Sequence, residues 1–136
     1  KECIKIIDKL LQIMKIFNIT YLPYRNITDI YVLKALCFFK LGESFKTTDL
    51  VNRIESMGSL KPTYNYIFLY CMLKGLIYAE KGQFDLAVNS FENAICKLDT
   101  ANKSSNFMLP MYYLEYGQML FKANNKKLGE EILKKV

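Results

Sequence analysis

Apolar residues recur at three- and four-residue spacing along almost the whole chain. Over residues 1–18, Ile4, Ile7, Leu10, Leu11, Met14 and Phe17 share one helical face. A second helix is expected from Thr28 or Asp29, either of which suits an N-cap, to Leu41, where Gly42 supplies the stop. A third runs from Thr47 or Thr48 to Met57, before Gly58. Pro62 suits the first turn of a fourth, which continues to Lys81 and closes at Gly82. The fifth extends from Phe84 to Leu98 and ends in a polar loop from Asp99 to Asn106. Pro110 opens a sixth, reaching Ala123, and a seventh starts near Lys126 and continues to Val136. No stretch keeps the two-residue alternation of a half-buried strand. The pattern predicts an all-α chain of seven helices, joined mostly by short turns, with antiparallel neighbours.

The pattern also repeats. Residues 34–43, Lys-Ala-Leu-Cys-Phe-Phe-Lys-Leu-Gly-Glu, superpose on residues 74–83, Lys-Gly-Leu-Ile-Tyr-Ala-Glu-Lys-Gly-Gln, at an offset of 40. A weaker third copy begins at Gly117, 42 residues after Gly75. The physical logic is a helical hairpin. A small residue midway along the first helix admits the second helix closely, an aromatic three residues on fills the crevice, and a glycine ends the helix. The second helix then presents small, large and small residues at spacings of four and three, all on one face.

Gly75, Tyr78, Gly82, Ala87, Phe91 and Ala94 meet these requirements, and the segment closely resembles a tetratricopeptide repeat. Lys74 and Asp99 stand where that repeat usually has a large residue and a closing proline. Ala35, Phe38, Gly42, Val51 and Ile54 make a degenerate copy, and Gly117, Leu120, Gly129, Leu133 and Val136 another. The spacings exceed the usual repeat length of about 34 residues. Lys74-Gly75, then Leu109-Pro110, Glu115 and Gly117, resemble the C-terminal region of the tetratricopeptide repeat protein 39 and inclusion-body-clearance family. The resemblance implies hairpins stacked as a right-handed α-solenoid. Residues 1–18 are then the second helix of a preceding hairpin, 24–58 a degenerate repeat, 62–99 the best repeat and 107–136 another degenerate one. It further implies a cytoplasmic adaptor connected with lipid homeostasis or the clearance of inclusions. The chain starts with Lys-Glu inside a helical pattern and is expected to be a segment of a longer protein.

Composition narrows the chemistry. At 136 residues and 51% hydrophobic, the chain is long and apolar enough to bury a core and is expected to form a single domain. It has no histidine, which removes the usual general base and the commonest metal ligand. Its six glycines are scattered and form no phosphate cradle. Cys3, Cys37, Cys71 and Cys96 lie far apart in sequence with no CxxC pair, so they read as buried, reduced thiols in a reducing compartment. The expectation is a non-enzyme that uses no metal, cofactor or small-molecule substrate. The run from Tyr64 to Ala79 is shorter than the roughly 20 apolar residues of a membrane span and reads as a buried helix.

Tyr112, Tyr113 and Tyr116 invite comparison with a base-stacking platform, but in a helix Tyr113 and Tyr116 are better placed in the hairpin interface. The net charge of +6 is carried mainly by lysine, concentrated only at Lys122, Lys126, Lys127, Lys134 and Lys135. A solvated helix face accounts for it, and binding of nucleic acid or an anionic membrane surface is the alternative function.

In solenoids of this kind partners bind a concave face built by the first helix of each hairpin. That face would carry Leu33 and Leu36, then Leu69, Met72 and Leu76, then Leu114. It is apolar, which suits a helical or extended partner segment and disfavours a lysine-and-asparagine clamp for a chaperone tail. The partner is either another protein or another part of the full-length chain.

Overall fold

The computed structural model describes residues 1–17, 21–22, 25–58, 62, 64–98 and 108–136. Among these the chain is all-α apart from one two-residue ladder. The helices are α1 (Glu2–Ile16), α2 (Ile27–Lys40), α3 (Ser44–Ser56), α4 (Tyr64–Glu80), α5 (Phe84–Lys97), α6 (Leu109–Lys122) and α7 (Lys126–Leu133). Strands β1 (Tyr21–Leu22) and β2 (Arg25–Asn26) pair antiparallel, Tyr21 opposite Asn26 and Leu22 opposite Arg25. They are too short for any alternation to register in sequence. No helix among the described residues is long and apolar enough to cross a membrane. The loop expected at 99–106 lies outside the described residues.

Two compact units emerge, Lys1–Tyr66 and Ile67–Val136. In the first, α1 lays Ile7 and Met14 against Ile30 of α2, with Leu10, Leu11, Ile27, Leu33 and Cys37 around them. On α2 and α3, Val32, Ala35, Leu50, Val51 and Ile54 are buried. Thr28 and Asp29, expected to cap α2, lie within its first turn and are fully buried. An aspartate in a first turn faces the positive end of the helix dipole. Among the described residues no buried side-chain nitrogen or oxygen lacks a hydrogen-bond partner.

The second unit has an aromatic centre. Phe68 of α4, Phe91 of α5 and Tyr112 and Tyr116 of α6 are all buried. The Tyr112 ring lies 5.5 Å from Phe68 and 5.9 Å from Phe91, while Phe91 and Tyr116 stack at 5.0 Å with their planes 8° apart. Gly75 on α4 faces this cluster. The Cβ that glycine lacks would stand 2.7 Å from Phe91 Cδ2 and 3.3 Å from the Ala87 carbonyl oxygen. Gly117 on α6 repeats the arrangement, its absent Cβ 2.5 Å from Leu133 Cδ2 of α7. By register the first hairpin carries Ala35 and Val51 at these places, so the smaller second-helix residue accompanies the larger first-helix one.

Three turns share one geometry. After α2, Gly42 donates to the Phe39 carbonyl at 3.0 Å and Glu43 to that of Phe38 at 2.9 Å. After α4, Gly82 donates to Ala79 at 3.0 Å and Gln83 to Tyr78 at 2.9 Å. After α6, Asn124 donates to Phe121 at 3.0 Å and Asn125 to Leu120 at 2.9 Å. These are Schellman closures, each needing one left-handed residue. Gly42 and Gly82 have φ of 74° and Asn124 has φ of 63°. In each case the next residue, Glu43, Gln83 or Asn125, is already the N-cap of the following helix. For that reason α3 starts at Ser44, three residues before the threonine expected to open it.

The third turn is the costly one, because a left-handed conformation costs a non-glycine residue on the order of 1 kcal/mol, less for asparagine. Asn124→Gly is therefore expected to raise stability by roughly 0.5 kcal/mol, and Asn124→Val to lower it by at least about 1 kcal/mol. Both are read as shifts of the urea midpoint at constant slope. A midpoint lowered by glycine would show that the Asn124 side chain supplies more than its backbone tolerance.

Candidate docking cleft

The five leucines and one methionine expected to meet a partner occupy different environments. Leu33 and Leu36 of α2 are half-buried, and Leu33 is packed in the α1–α2 cluster. Leu69, Met72 and Leu76 of α4 are buried, with Met72 only 1% exposed. Leu114 is exposed on α6, in a stripe with Met111 and Phe121. The C-terminal lysines, Lys122, Lys126, Lys127, Lys134 and Lys135, are exposed, and the Lys135 ammonium lies 5.6 Å from the centre of the Tyr113 ring. Tyr113 is thus half-buried at the surface, and Tyr112 takes the interior place beside Tyr116.

The first unit carries a cleft of about 630 Å³. Each of its three helices contributes one face. From α1 come Asp8, Leu11, Gln12 and Lys15, from α2 Ile27, Tyr31, Lys34 and Phe38, and from α3 Phe45, Lys46, Asp49 and Arg53. Spacings of three, four and seven put each set on one side of its helix. Leu11 and Phe38 belong to the apolar and repeat patterns, and the buried Met14 and Leu50 also line the cleft, so it lies along the rim of those apolar faces, where polar positions begin. Only their polar-aromatic mixture at helical spacing hints at it in sequence.

Cations and rings alternate along this cleft. Lys34 pairs with Asp8, joining α2 to α1. Lys46 pairs with Glu43 at 2.7 Å and Arg53 approaches Asp49 at 3.9 Å. The Lys46 and Lys34 ammoniums stand 5.2 and 5.7 Å from the centre of the Phe38 ring, and the Arg53 guanidinium 5.8 Å from that of Tyr31. The two exposed pairs, of Lys46 and Arg53, hold their cations weakly, by about 0–1 kcal/mol, so an incoming carboxylate can exchange with the resident one there. Phe45 sits at the cleft 86% exposed, a large aromatic ring turned to solvent. A smaller groove of about 270 Å³ in the second unit is lined by Cys71, Lys74, Tyr78, Leu86 and Asn89.

The cysteines depart from expectation. All four are free, as expected, but none is buried: Cys3 and Cys96 are exposed, Cys37 and Cys71 partly so. Cys96 lies on the side of α5 opposite the buried Ala87, Phe91 and Ala94, so a place on a helix does not by itself imply burial. Burial pushes both the Cys37 and the Cys71 thiols up, and for Cys37 the hydrogen bond and charge of Cys3 add to the effect. No group of three or more metal-ligating side chains occurs among the described residues. No family model, curated protein or solved structure matches this chain.

Proposed function

We propose that this chain is a non-catalytic protein-binding module of the tetratricopeptide-like kind, its hairpins stacked as a right-handed solenoid. It takes an acidic, amphipathic segment of a partner protein into the α1–α2–α3 cleft. The single observation that carries the docking site is Phe45, 86% exposed at a cleft already lined by Tyr31, Phe38 and four cationic side chains. Aromatic and arginine side chains dominate binding energy when a partner excludes water from them. The repeat reading is supported by the three like turns and by the glycine-to-large-residue interlock of two hairpins. The free thiols suit a reducing compartment such as the cytoplasm.

The proposal moves the docking surface away from the first-helix face. Leu69, Met72 and Leu76 are buried and offer a partner little area, whereas Leu114 remains accessible. A displayed peptide library selected against the whole chain tests the choice. Enriched peptides are expected to set aspartate or glutamate beside a bulky apolar residue. Their affinity should fall about thirtyfold with Phe45→Ala and weaken as salt rises, because the cleft contributes both apolar burial and charge. Leu114→Glu should leave it unchanged. Enrichment lost on Leu114→Glu but not on Phe45→Ala would place docking on α6. Sensitivity only to charge reversal at Lys126 and Lys127 would favour anionic-surface binding.

A further inference from the structure

Cys3 and Cys37 are separated by 34 positions, and no sequence spacing connects them. The fold brings them together where the first turn of α1 crosses the last turn of α2, Sγ to Sγ at 4.0 Å. Cys3 is exposed and Cys37 partly so, and both belong to the same compact unit. A disulfide needs the sulfurs at about 2.05 Å, so each must advance by roughly 1 Å. Rotation about χ1 and a small shift of the exposed end of α1 supply that movement without unfolding either helix. We infer that Cys3 and Cys37 form an oxidation-sensitive pair that closes to an intramolecular disulfide on exposure to a hydroperoxide, locking α1 to α2.

The chemistry balances. The Cys3 thiolate attacks the peroxide oxygen, the O–O bond breaks, and Cys3 becomes a sulfenic acid as water leaves. The Cys37 sulfur then attacks the Cys3 sulfur, the S–O bond breaks, and the hydroxide released takes the Cys37 proton as a second water. Two thiols lose two electrons and two protons, and the hydroperoxide accepts them. The exposed partner is the one an oxidant reaches first, and the partly buried one is positioned to resolve it. The bond would close a long loop and tie α1 to α2 within the first unit. This step stands apart from the docking proposal, since it needs only the α1–α2 contact.

The test uses the reduced whole chain treated with hydrogen peroxide, alkylated and mapped by mass spectrometry without reduction. The expected product joins the peptides carrying Cys3 and Cys37, two hydrogens lighter than the pair, with Cys71 and Cys96 alkylated. Mixing light and isotope-labelled chains should show the link within one chain. The melting midpoint should rise by at least about 5 °C and return on reduction, because the cross-link restricts the unfolded chain. In Cys37→Ser, Cys3 should persist as a sulfenic acid trapped by dimedone. In denaturant the rate of closure should fall on the order of tenfold, since proximity then rests on random loop closure. Recovery of Cys3 as a sulfinic acid with Cys37 still alkylated, a link only between chains, or a rate indifferent to denaturant would each overturn the inference.

Discussion

Replacing Gly75 with leucine is expected to abolish cooperative folding of the second unit. Even the first carbon of the new side chain would meet Phe91 Cδ2 and Cε2 at 2.7 and 2.8 Å. Phe91 has nowhere to go, because it is fully buried, stacked on Tyr116 and in contact with the Tyr112 ring. The milder Gly75→Ala separates two opposing effects. Alanine gains about 1 kcal/mol of helix propensity over glycine, while overpacking a filled core costs about 1–3 kcal/mol. The net expectation is a loss of roughly 1 kcal/mol by urea denaturation, against the direction that propensity alone dictates. Combining it with Phe91→Val, the alanine and valine of the first hairpin, should make Gly75→Ala neutral or stabilising. A loss of equal size in both backgrounds would show that the two positions do not touch.

Tyr112→Ala is expected to cost about 3–5 kcal/mol, the range for emptying a large aromatic site. Tyr112 is 2% exposed, touches three rings besides its neighbour Tyr113, and donates its hydroxyl to the Phe91 carbonyl at 2.8 Å. Tyr112→Phe keeps the ring and removes only that bond, for about 1 kcal/mol. Burial, reinforced by the charges of Tyr116, Tyr113 and Glu92, pushes the Tyr112 hydroxyl far above the ordinary tyrosine value. Burial raises Tyr116 as well. A raised folded-state value means that the folded chain holds the proton more tightly. The contribution is therefore complete below about pH 10, where the unfolded tyrosine is also protonated, and is lost as pH rises beyond it. The unfolding midpoint should decline steeply above about pH 10, and Tyr112→Phe should flatten the decline. An unchanged slope in the variant would assign the alkaline loss to other groups.

Much of the architecture was legible because the hairpin writes its constraints locally. Gly42 and Gly82 announce left-handed turns, Gly75 and Phe91 a close approach, and Pro110 the start of α6, where it sits in the first turn. Asn124 was not legible as the third turn residue, since asparagine serves many surface roles besides this one. Pro62 was read as the first turn of α4, which begins two residues later at Tyr64. In α6 a one-residue error of register put Tyr113 inside in place of Tyr112. Helix α4 offered no reliable facing: Phe68, Leu69, Met72, Leu73, Leu76 and Ile77 are all buried, and a helix apolar on most sides does not declare which side is free. The cleft was invisible for a different reason. Its residues run from Asp8 to Arg53 on three helices, and only folding brings Asp8 to Lys34 or Lys46 to Phe38.

The three Schellman turns also bear on how the chain reaches this state. Each is closed by hydrogen bonds spanning three to five residues, and its last residue already starts the next helix. Forming one therefore requires little chain to be gathered, and the two helices it joins are aligned as soon as it closes. A protein dominated by such near-neighbour contacts has a low contact order and folds quickly for its size. During synthesis, α2 with α3 can fold before α6 has been made, and α6 with α7 needs nothing upstream to set its turn. Nascent chains then expose the apolar faces of single helices only briefly, which limits the time available for misassembly.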